Sequence, residues 1–419
     1  MSLCKDESAA FKTGICATFA SFFARGNQGM TSINGVEVGG HFDQKFAPAI
    51  EQFAENIAKN NDVGASFAAS IDGEMVVDVW GGHQDEQRTR PWQEDTLVNV
   101  WSSTKTVSFL CALVLADRGL LDFDAPVSRY WPEFAANGKE NVLVWHFMNH
   151  AAGLSGLDEE VSQDDQYDWD KMTGLLAAQE PWWEPGSSSG YHGLTQGYLI
   201  GELVRRITGQ TLGEFTRDEI AGPLGADFHI GAPDEVLPRI CDLIIPGDTT
   251  SNNDQLDDDP DSISRKTFRS PRAQAEAANT LAWRKAEIPA ANGQGNARSL
   301  VRIQTPLAND GGAFGVQLVS ADTAKSIMKQ RIAGKDLVLK MPMAFGLGFG
   351  LNTYNGQMGP IPLTPNPNSC FWAGWGGSSV VIDQDAHIVT AYAMNRMFPS
   401  LMGDTRSYLI RQKFYEGLS

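Results

Sequence analysis

Cysteine is scarce in this chain: five residues in 419, at Cys4, Cys16, Cys111, Cys241 and Cys370, with no CxxC pair among them. That spacing argues against a zinc cage or a disulfide framework, and a reducing, cytoplasmic setting is the simplest expectation. Long apolar runs are missing as well. No stretch approaches the roughly eighteen residues of a membrane-spanning helix. Basic residues are outnumbered, with 33 Lys and Arg against 51 Asp and Glu, for a formal net charge of −18. That sign repels phosphate backbones and anionic headgroups, so neither nucleic acid nor a membrane surface is an expected partner. No glycine-rich phosphate loop of the Walker type occurs, and no cofactor is expected. His146 and His150 are four apart, as two helical metal ligands would be, but the Glu of His-Glu-x-x-His is absent and no third ligand is apparent. They read as structural histidines, and no metal is expected.

What remains is an ordinary globular profile, 42% apolar and 20% charged, in a chain long enough for a large core. Residues Gly14 to Ala24 (GICATFASFFA) follow Lys5 and Lys12 and have the outline of a secretory signal. Asp6 and Glu7 sit where only basic residues belong, and Thr18 and Ser21 interrupt the apolar stretch. An N-terminal arm over residues 1–40 is therefore expected in its place.

Beyond the arm, Phe46, Ile50, Phe53 and Ile57 form one apolar stripe and predict a helix over 46–59. Asp72-Gly73 lies between two strand-like runs and predicts a tight hairpin, because both positions tolerate positive φ. Ser378 to Asn395 reads as a second strand pair turning at Asp383-Gln384-Asp385, and Asp404 to Leu418 as a closing helix. Helices are predicted over 102–119 and over 195–208, the latter stopped by Gly209. Residues 247–271 read as a solvated loop with an acidic run, Asp257 to Asp261, that lacks the spacing of a calcium site. Strands at both ends and helices between them imply an α+β chain. Residues 41–125 and 285–419 would form a sheet domain, and 126–284 a mostly helical subdomain, with the site in the cleft between. Self-association into a homo-oligomer is left open by these features.

The chemistry points to Trp101-Ser102-Ser103-Thr104-Lys105. On the first turn of a helix, residues three apart share a face, so the Lys105 amine can reach the Ser102 hydroxyl. A serine is a weak nucleophile until a base takes its proton, and a buried lysine can serve as that base. A second Ser-x-x-Lys, Ser326 to Lys329, sits in a polar amphipathic stretch and reads as an exposed helix face. Ser102 opens a strongly apolar helix, which favours it. Gly186-Ser187-Ser188-Ser189-Gly190 matches Gly-x-Ser-x-Gly, but Trp182-Trp183-Glu184-Pro185 precedes it where that motif needs a strand. Ser188 is read as a loop residue.

The segment Asn99 to Phe134 resembles the nucleophile region of class C β-lactamases, and more closely that of the family VIII carboxylesterases. The resemblance continues through Val144–Leu157, Glu184–Gly209, Pro223–Asp227, Gly295–Ser320 and Trp372–Met397, in the family's order, over about residues 40 to 417. It implies a β-lactamase-like fold, an antiparallel sheet flanked by helices with a helical subdomain. It also implies an acyl-enzyme on Ser102, with Lys105 and Tyr191 moving protons; a phenol beside a lysine ammonium is expected to have its pKa lowered. Trp372-Ala373-Gly374 stands where the family has Lys-Thr-Gly, and this correspondence makes the backbone N–H groups of Ser102 and Trp375 the oxyanion hole and Trp372 and Gly374 substrate contacts. Trp372 and Gly193 replace the lysine and asparagine with which β-lactamases grip their substrate. The implied activity is hydrolysis of small or hydrophobic carboxylic esters, with weak β-lactam turnover at most. Acyl transfer, D-aminopeptidase or amidase action, and a non-catalytic penicillin-binding-like role are the alternatives.

Overall fold

The computed structural model describes residues 29–247, 259–358 and 363–418. The signal-like stretch at 14–24 lies outside them, as do Asp257 and Asp258 of the acidic run. The fold is organised by a ten-stranded antiparallel sheet. In chain order its strands are β1 (Thr31–Ile33), β2 (Val36–Phe42), β3 (Gly64–Ile71), β4 (Glu74–Gly82), β5 (Ile332–Lys335), β6 (Pro342–Phe345), β7 (Gly350–Leu351), β8 (Ser369–Ala373), β9 (Ser379–Asp383) and β10 (Ile388–Met394). Their spatial order is β1-β2-β4-β3-β10-β9-β8-β7-β6-β5, so the two ends of the chain meet at the β3–β10 pair. Residues 38–42 pair with β4, which puts the expected boundary of the arm at residue 40 inside strand β2.

The hairpin turns fall where the sequence puts them. Asp72 and Gly73 have φ of 50° and 81°, the double left-handed conformation whose twist suits a two-residue hairpin. At the β9–β10 turn the Asp383 side chain accepts the N–H groups of Asp385 and Ala386. Strand β3 reads GASFAASI with almost every residue buried, because helices cover both faces of the sheet. Alternation divides its side chains. Ser66 and Ser70 bond to the Ala297 N–H and the Thr305 hydroxyl of helix Ala297–Ala308, while Phe67 faces Phe414 of the closing helix Thr405–Glu416. Phe414 also stacks on Phe46, at 4.3 Å between centroids, beside the first helix, Ala47–Ala58.

Between the sheet segments, the helices Lys105–Asp117 and Thr195–Thr208 pack on each other, and Gly209 closes the second with φ 77°. Lys105–Asp117 is apolar all round, as a helix enclosed on every side must be. The expected loop at 247–271 is instead helical over Ile263–Arg269, capped by the Ser262 side chain, which accepts the Arg265 N–H. Ser264 and Thr267 turn inward there, and their hydroxyls donate to Val338 and Ile263 carbonyls. A mostly polar composition, ISRKTFR, hid the segment, because its buried side is stitched by hydroxyls rather than by an apolar stripe. No helix among the described residues is long and apolar enough to cross a membrane.

One buried charge cluster ties the closing helix to the rest. The Arg406 guanidinium, 2% exposed, donates to Asp62 and Asp404 at 2.6 Å each, to the Gly376 carbonyl at 2.6 Å and to the Arg396 carbonyl at 2.9 Å. Tyr392 adds its hydroxyl to Asp62. Removing one partner of such a cluster leaves uncompensated buried charge. Arg406→Met should therefore cost about 3–5 kcal/mol, read as a lowered urea midpoint at unchanged slope; a midpoint shift within error would show the cluster to be energetically idle.

Candidate active site

Ser102 and Lys105 are brought together by local geometry. Residues Trp101–Thr104 form a 3-10 turn that runs into the helix starting at Lys105, a tighter entry than the α-turn expected from sequence. In a 3-10 turn, side chains three apart eclipse one another. The Lys105 Nζ accordingly stands 3.1 Å from the Ser102 Oγ. The residue before the serine, Trp101, has φ of 45°, an unusual conformation for a non-glycine residue. Strain of this kind clusters at functional sites. The Trp101 ring is wedged between Trp283 and Trp375, at 5.3 and 4.9 Å, which holds the turn in place.

Tyr191 completes the group from another segment. Its hydroxyl lies 2.6 Å from Ser102 Oγ and 3.1 Å from Lys105 Nζ. Lys105 is 1% exposed and Ser102 8%, so the serine keeps a narrow window to solvent while the amine has none. Two carbonyl oxygens also accept from Nζ, Gly193 at 2.7 Å and Ala290 at 2.9 Å. Burial without a carboxylate partner pushes the Lys105 amine well below the ordinary lysine range. A neutral amine has two N–H groups and one lone pair. Once deprotonated, and with its N–H groups on the two carbonyls, the amine can turn its lone pair to the serine and tyrosine hydroxyls.

The tyrosine departs from expectation. Burial pushes its phenol up, opposed by the Ser102 hydrogen bond, and the nearby Asp336 carboxylate adds to the rise. The expected downward shift needed an ammonium next to it, whereas burial disfavours the charged form of Lys105. Tyr191 is thus a neutral phenol that can donate one proton while accepting another.

Strand β8 ends beside this group. Ser378 links it to the serine turn: its Oγ donates to the Val100 carbonyl at 2.7 Å and lies 2.9 Å from Ser103 Oγ. Gly374 fits only as glycine, since a Cβ there would come within 2.3 Å of both Ser378 Oγ and the Val100 carbonyl. The next loop is pinned by Gly374 N–H to Ser378 O and Gly376 N–H to Ser400 O, at 2.8 and 2.9 Å, with the Gly376 carbonyl held by Arg406. Trp375 sits within it, half-buried against Trp101.

Trp372 is where sequence reasoning needs correction. Its side chain is fully buried, so it lines no open cleft. The strand's alternation directs it into a closed cluster with Tyr191, Val338, Met343 and Phe345. His150 stacks on it at 5.3 Å, and Tyr191 meets it at 5.7 Å. The indole therefore backs the tyrosine instead of contacting substrate.

The other two serine motifs fall away from the site, and the two histidines serve as hydrogen-bond acceptors. The 186–190 segment is neither strand nor helix, and the Ser188 carbonyl accepts the Trp183 indole N–H. Ser326 ends the short helix Ala321–Ser326, donates to the Thr323 carbonyl, and is followed by an exposed Lys329. His146 Nδ1 accepts the Leu143 N–H, while His150 Nδ1 accepts the His192 N–H. Among the described residues no group of three or more His, Cys, Asp or Glu side chains converges as a metal site would. Sequence reasoning missed Asp336, the Ala290 carbonyl and the Ser103–Ser378 link, none of which carries a local signal.

The sequence profile named Beta-lactamase matches residues 50–413. This chain belongs to the beta-lactamase family. Within it, the chain is 35% identical over 393 residues to the esterase/beta-lactamase LipL of Mycobacterium tuberculosis, covering 90% of this chain and 89% of that one. A crystal structure of a family VIII carboxylesterase superposes with a TM-score of 0.83 at 37% identity, covering 91% of this chain and all of that one. A penicillin-binding protein homologue from Caulobacter crescentus gives the same TM-score at 36% identity, covering 91% and 99%. The beta-lactamase-like fold expected from the sequence is thereby established.

Because Trp372 is packed, its removal should be felt in stability. Trp372→Ala is expected to lower stability by about 3–5 kcal/mol and Trp372→Phe by under about 1.5 kcal/mol. Chemical denaturation separates the cases: an alanine variant as stable as the parent would put the indole back in the open cleft.

Proposed function

We propose that the chain is a serine carboxylesterase that hydrolyses small or hydrophobic carboxylic esters through an acyl-enzyme on Ser102. One observation carries the reading: a serine hydroxyl held 2.6 Å from a buried tyrosine hydroxyl and 3.1 Å from a buried lysine amine that has no carboxylate partner. In this mechanism Ser102 Oγ attacks the ester carbonyl as its proton passes to Lys105, directly or through Tyr191. The backbone N–H groups of Ser102 and Trp375 take the developing oxyanion, on a loop that the Ser378 and Arg406 contacts keep rigid. The proton then returns through Tyr191 to the departing alcohol oxygen. Water attacks the acyl-enzyme with the same groups acting as base, and Ser102 is regenerated.

Ester hydrolysis is preferred over β-lactam hydrolysis on the residues around this group. The family's lysine is replaced by a buried indole, and its asparagine by Gly193. A Cβ at Gly193 would meet nothing closer than Tyr191, at 3.8 Å, so the missing side chain leaves room beside Lys105. Such room suits an apolar acyl or alcohol part. The names of the relatives, an esterase/beta-lactamase and a family VIII carboxylesterase, support the same class. Gly374 is kept on the substrate side of this proposal, and Trp372 is assigned a supporting place behind Tyr191. A cytoplasmic setting belongs to the same reading, in keeping with the free buried thiols Cys111, Cys241 and Cys370.

Purified parent, Ser102→Ala and Ser188→Ala, assayed on p-nitrophenyl butyrate and nitrocefin, test the reading. Ser102→Ala should lose about 10³-fold or more in kcat and Ser188→Ala nothing, with nitrocefin turned over weakly or not at all. Retained activity in Ser102→Ala would end the assignment. Fast nitrocefin turnover would move the substrate class to β-lactams, and product capture by added alcohols in place of hydrolysis would make it an acyltransferase.

The state of Lys105 gives a second test. Its amine must be unprotonated to accept, so kcat/KM should rise with pH through a single limb and then level off. The lowered amine pKa places that limb well below the ordinary lysine value of about 10.4. A limb found at the ordinary value would mean that Lys105 is an ammonium at neutral pH and not the base.

A further inference from the structure

Tyr191 reaches Ser102 from a segment with no regular secondary structure, so something else must fix its backbone. Three consecutive N–H groups in this stretch are held from outside it. Gly190 donates to the His150 carbonyl at 2.8 Å, Tyr191 to the Asp336 Oδ1 at 3.1 Å, and His192 to the His150 Nδ1 at 3.1 Å. A fourth bond runs the other way, from the Leu337 N–H to the Ser189 carbonyl at 2.8 Å. Asp336 follows strand β5 and is fully buried. Its Oδ1 also accepts the N–H groups of Val338 and Leu339, at 2.9 and 2.8 Å, and its own N–H donates to the Met341 carbonyl at 2.9 Å. One carboxylate oxygen therefore orders the turn between β5 and β6 and grips the peptide that carries the phenol.

We propose that Asp336 is a positioning residue for the reaction, holding Tyr191 through its backbone so that the phenol meets both Ser102 and Lys105. The proposal rests on the reading of Tyr191 as proton relay. Geometry makes the demand plain. The phenol must sit 2.6 Å from one group and 3.1 Å from the other, and misplacement by about 1 Å can cost roughly 10²-fold in rate. Packing alone, tilted against Trp372 at 5.7 Å and edge-on to His150 at 5.1 Å, is non-directional and leaves the phenol some freedom of position. A hydrogen bond to the peptide removes that freedom. Lys105 from its helix, His150 from one clamping segment and Asp336 from the β5–β6 turn stand around the tyrosine, with His192 next to it in its own segment. Burial holds both histidines far below the ordinary imidazole range and therefore neutral. The His192 Nε2 accepts the Leu154 N–H, so its proton sits on Nδ1 toward the Gly190 carbonyl.

A double-mutant cycle on the full chain with p-nitrophenyl butyrate tests this. Asp336→Ala is expected to lower kcat about tenfold or more with KM within twofold. In a Tyr191→Phe background the same change should cost less than threefold, because there is no longer a hydroxyl to misplace. Asp336→Asn keeps the shape and the Oδ1 acceptor and should retain kcat within threefold. Should Asp336→Ala fail to fold, Asp336→Ser, too short to reach all three N–H groups, runs the same cycle. Equal losses in both backgrounds would overturn the proposal, leaving a merely structural aspartate. A folded Asp336→Asn with kcat down more than tenfold would overturn it too, by assigning the effect to charge. If Tyr191→Phe by itself keeps parental kcat, the relay reading fails, and the role of Asp336 with it; that result is distinct from absent coupling.

Discussion

The site depends on taking the Lys105 amine out of water without giving it a carboxylate. An ammonium in that position would lose its hydration and gain only dipoles in return, so the amine's pKa falls. Two carbonyls, of Gly193 and Ala290, then satisfy the amine's N–H groups and turn its lone pair to the hydroxyls. An acidic partner in place of either carbonyl would restore the charge and remove the base. The enclosing apolar helix is therefore a chemical requirement as much as a packing solution, since it provides the desolvation.

Around that buried amine the structure divides its labour by segment. The 3-10 turn supplies serine and lysine in one local unit, and the strained Trp101 sets the approach of that turn. The sheet supplies a rigid edge, with Ser378 and Arg406 fastening the loop after β8 to the serine turn and to the closing helix. The tyrosine comes from a segment that would wander if left to itself, and His150 and Asp336 hold it. Each group is fixed by bonds to backbone rather than to other reactive side chains, so protons can move within the group without loosening its supports.

Trp372 illustrates how a replacement changes more than the substrate list. A cationic side chain at that strand position needs an anionic or solvent partner. An indole needs neither, and it fills the volume behind the phenol with His150 and Phe345. The phenol gains an apolar backing that helps keep it protonated.

Sequence determined the elements whose signals are local. Hairpin glycine at Asp72-Gly73, the amphipathic stripe from Phe46 to Ile57 and the Gly209 stop each act within a few residues, and each appears where its pattern places it. The Ser102–Lys105 pair is local in the same sense, fixed by three residues of spacing at the entry to an apolar helix. Tyr191 was reachable only through resemblance, because nothing next to it announces a proton relay. Tertiary structure alone decided the rest. It moved the pKa of Lys105 down and that of Tyr191 up, through burial by distant segments. It turned Trp372 inward, because strand alternation and helices on both faces leave that side chain no outward option. It brought Asp336, 145 residues away in the chain, onto the tyrosine's peptide N–H. Long-range desolvation and backbone capture leave no periodicity or motif behind them, and for that reason they are legible only once the chain has folded.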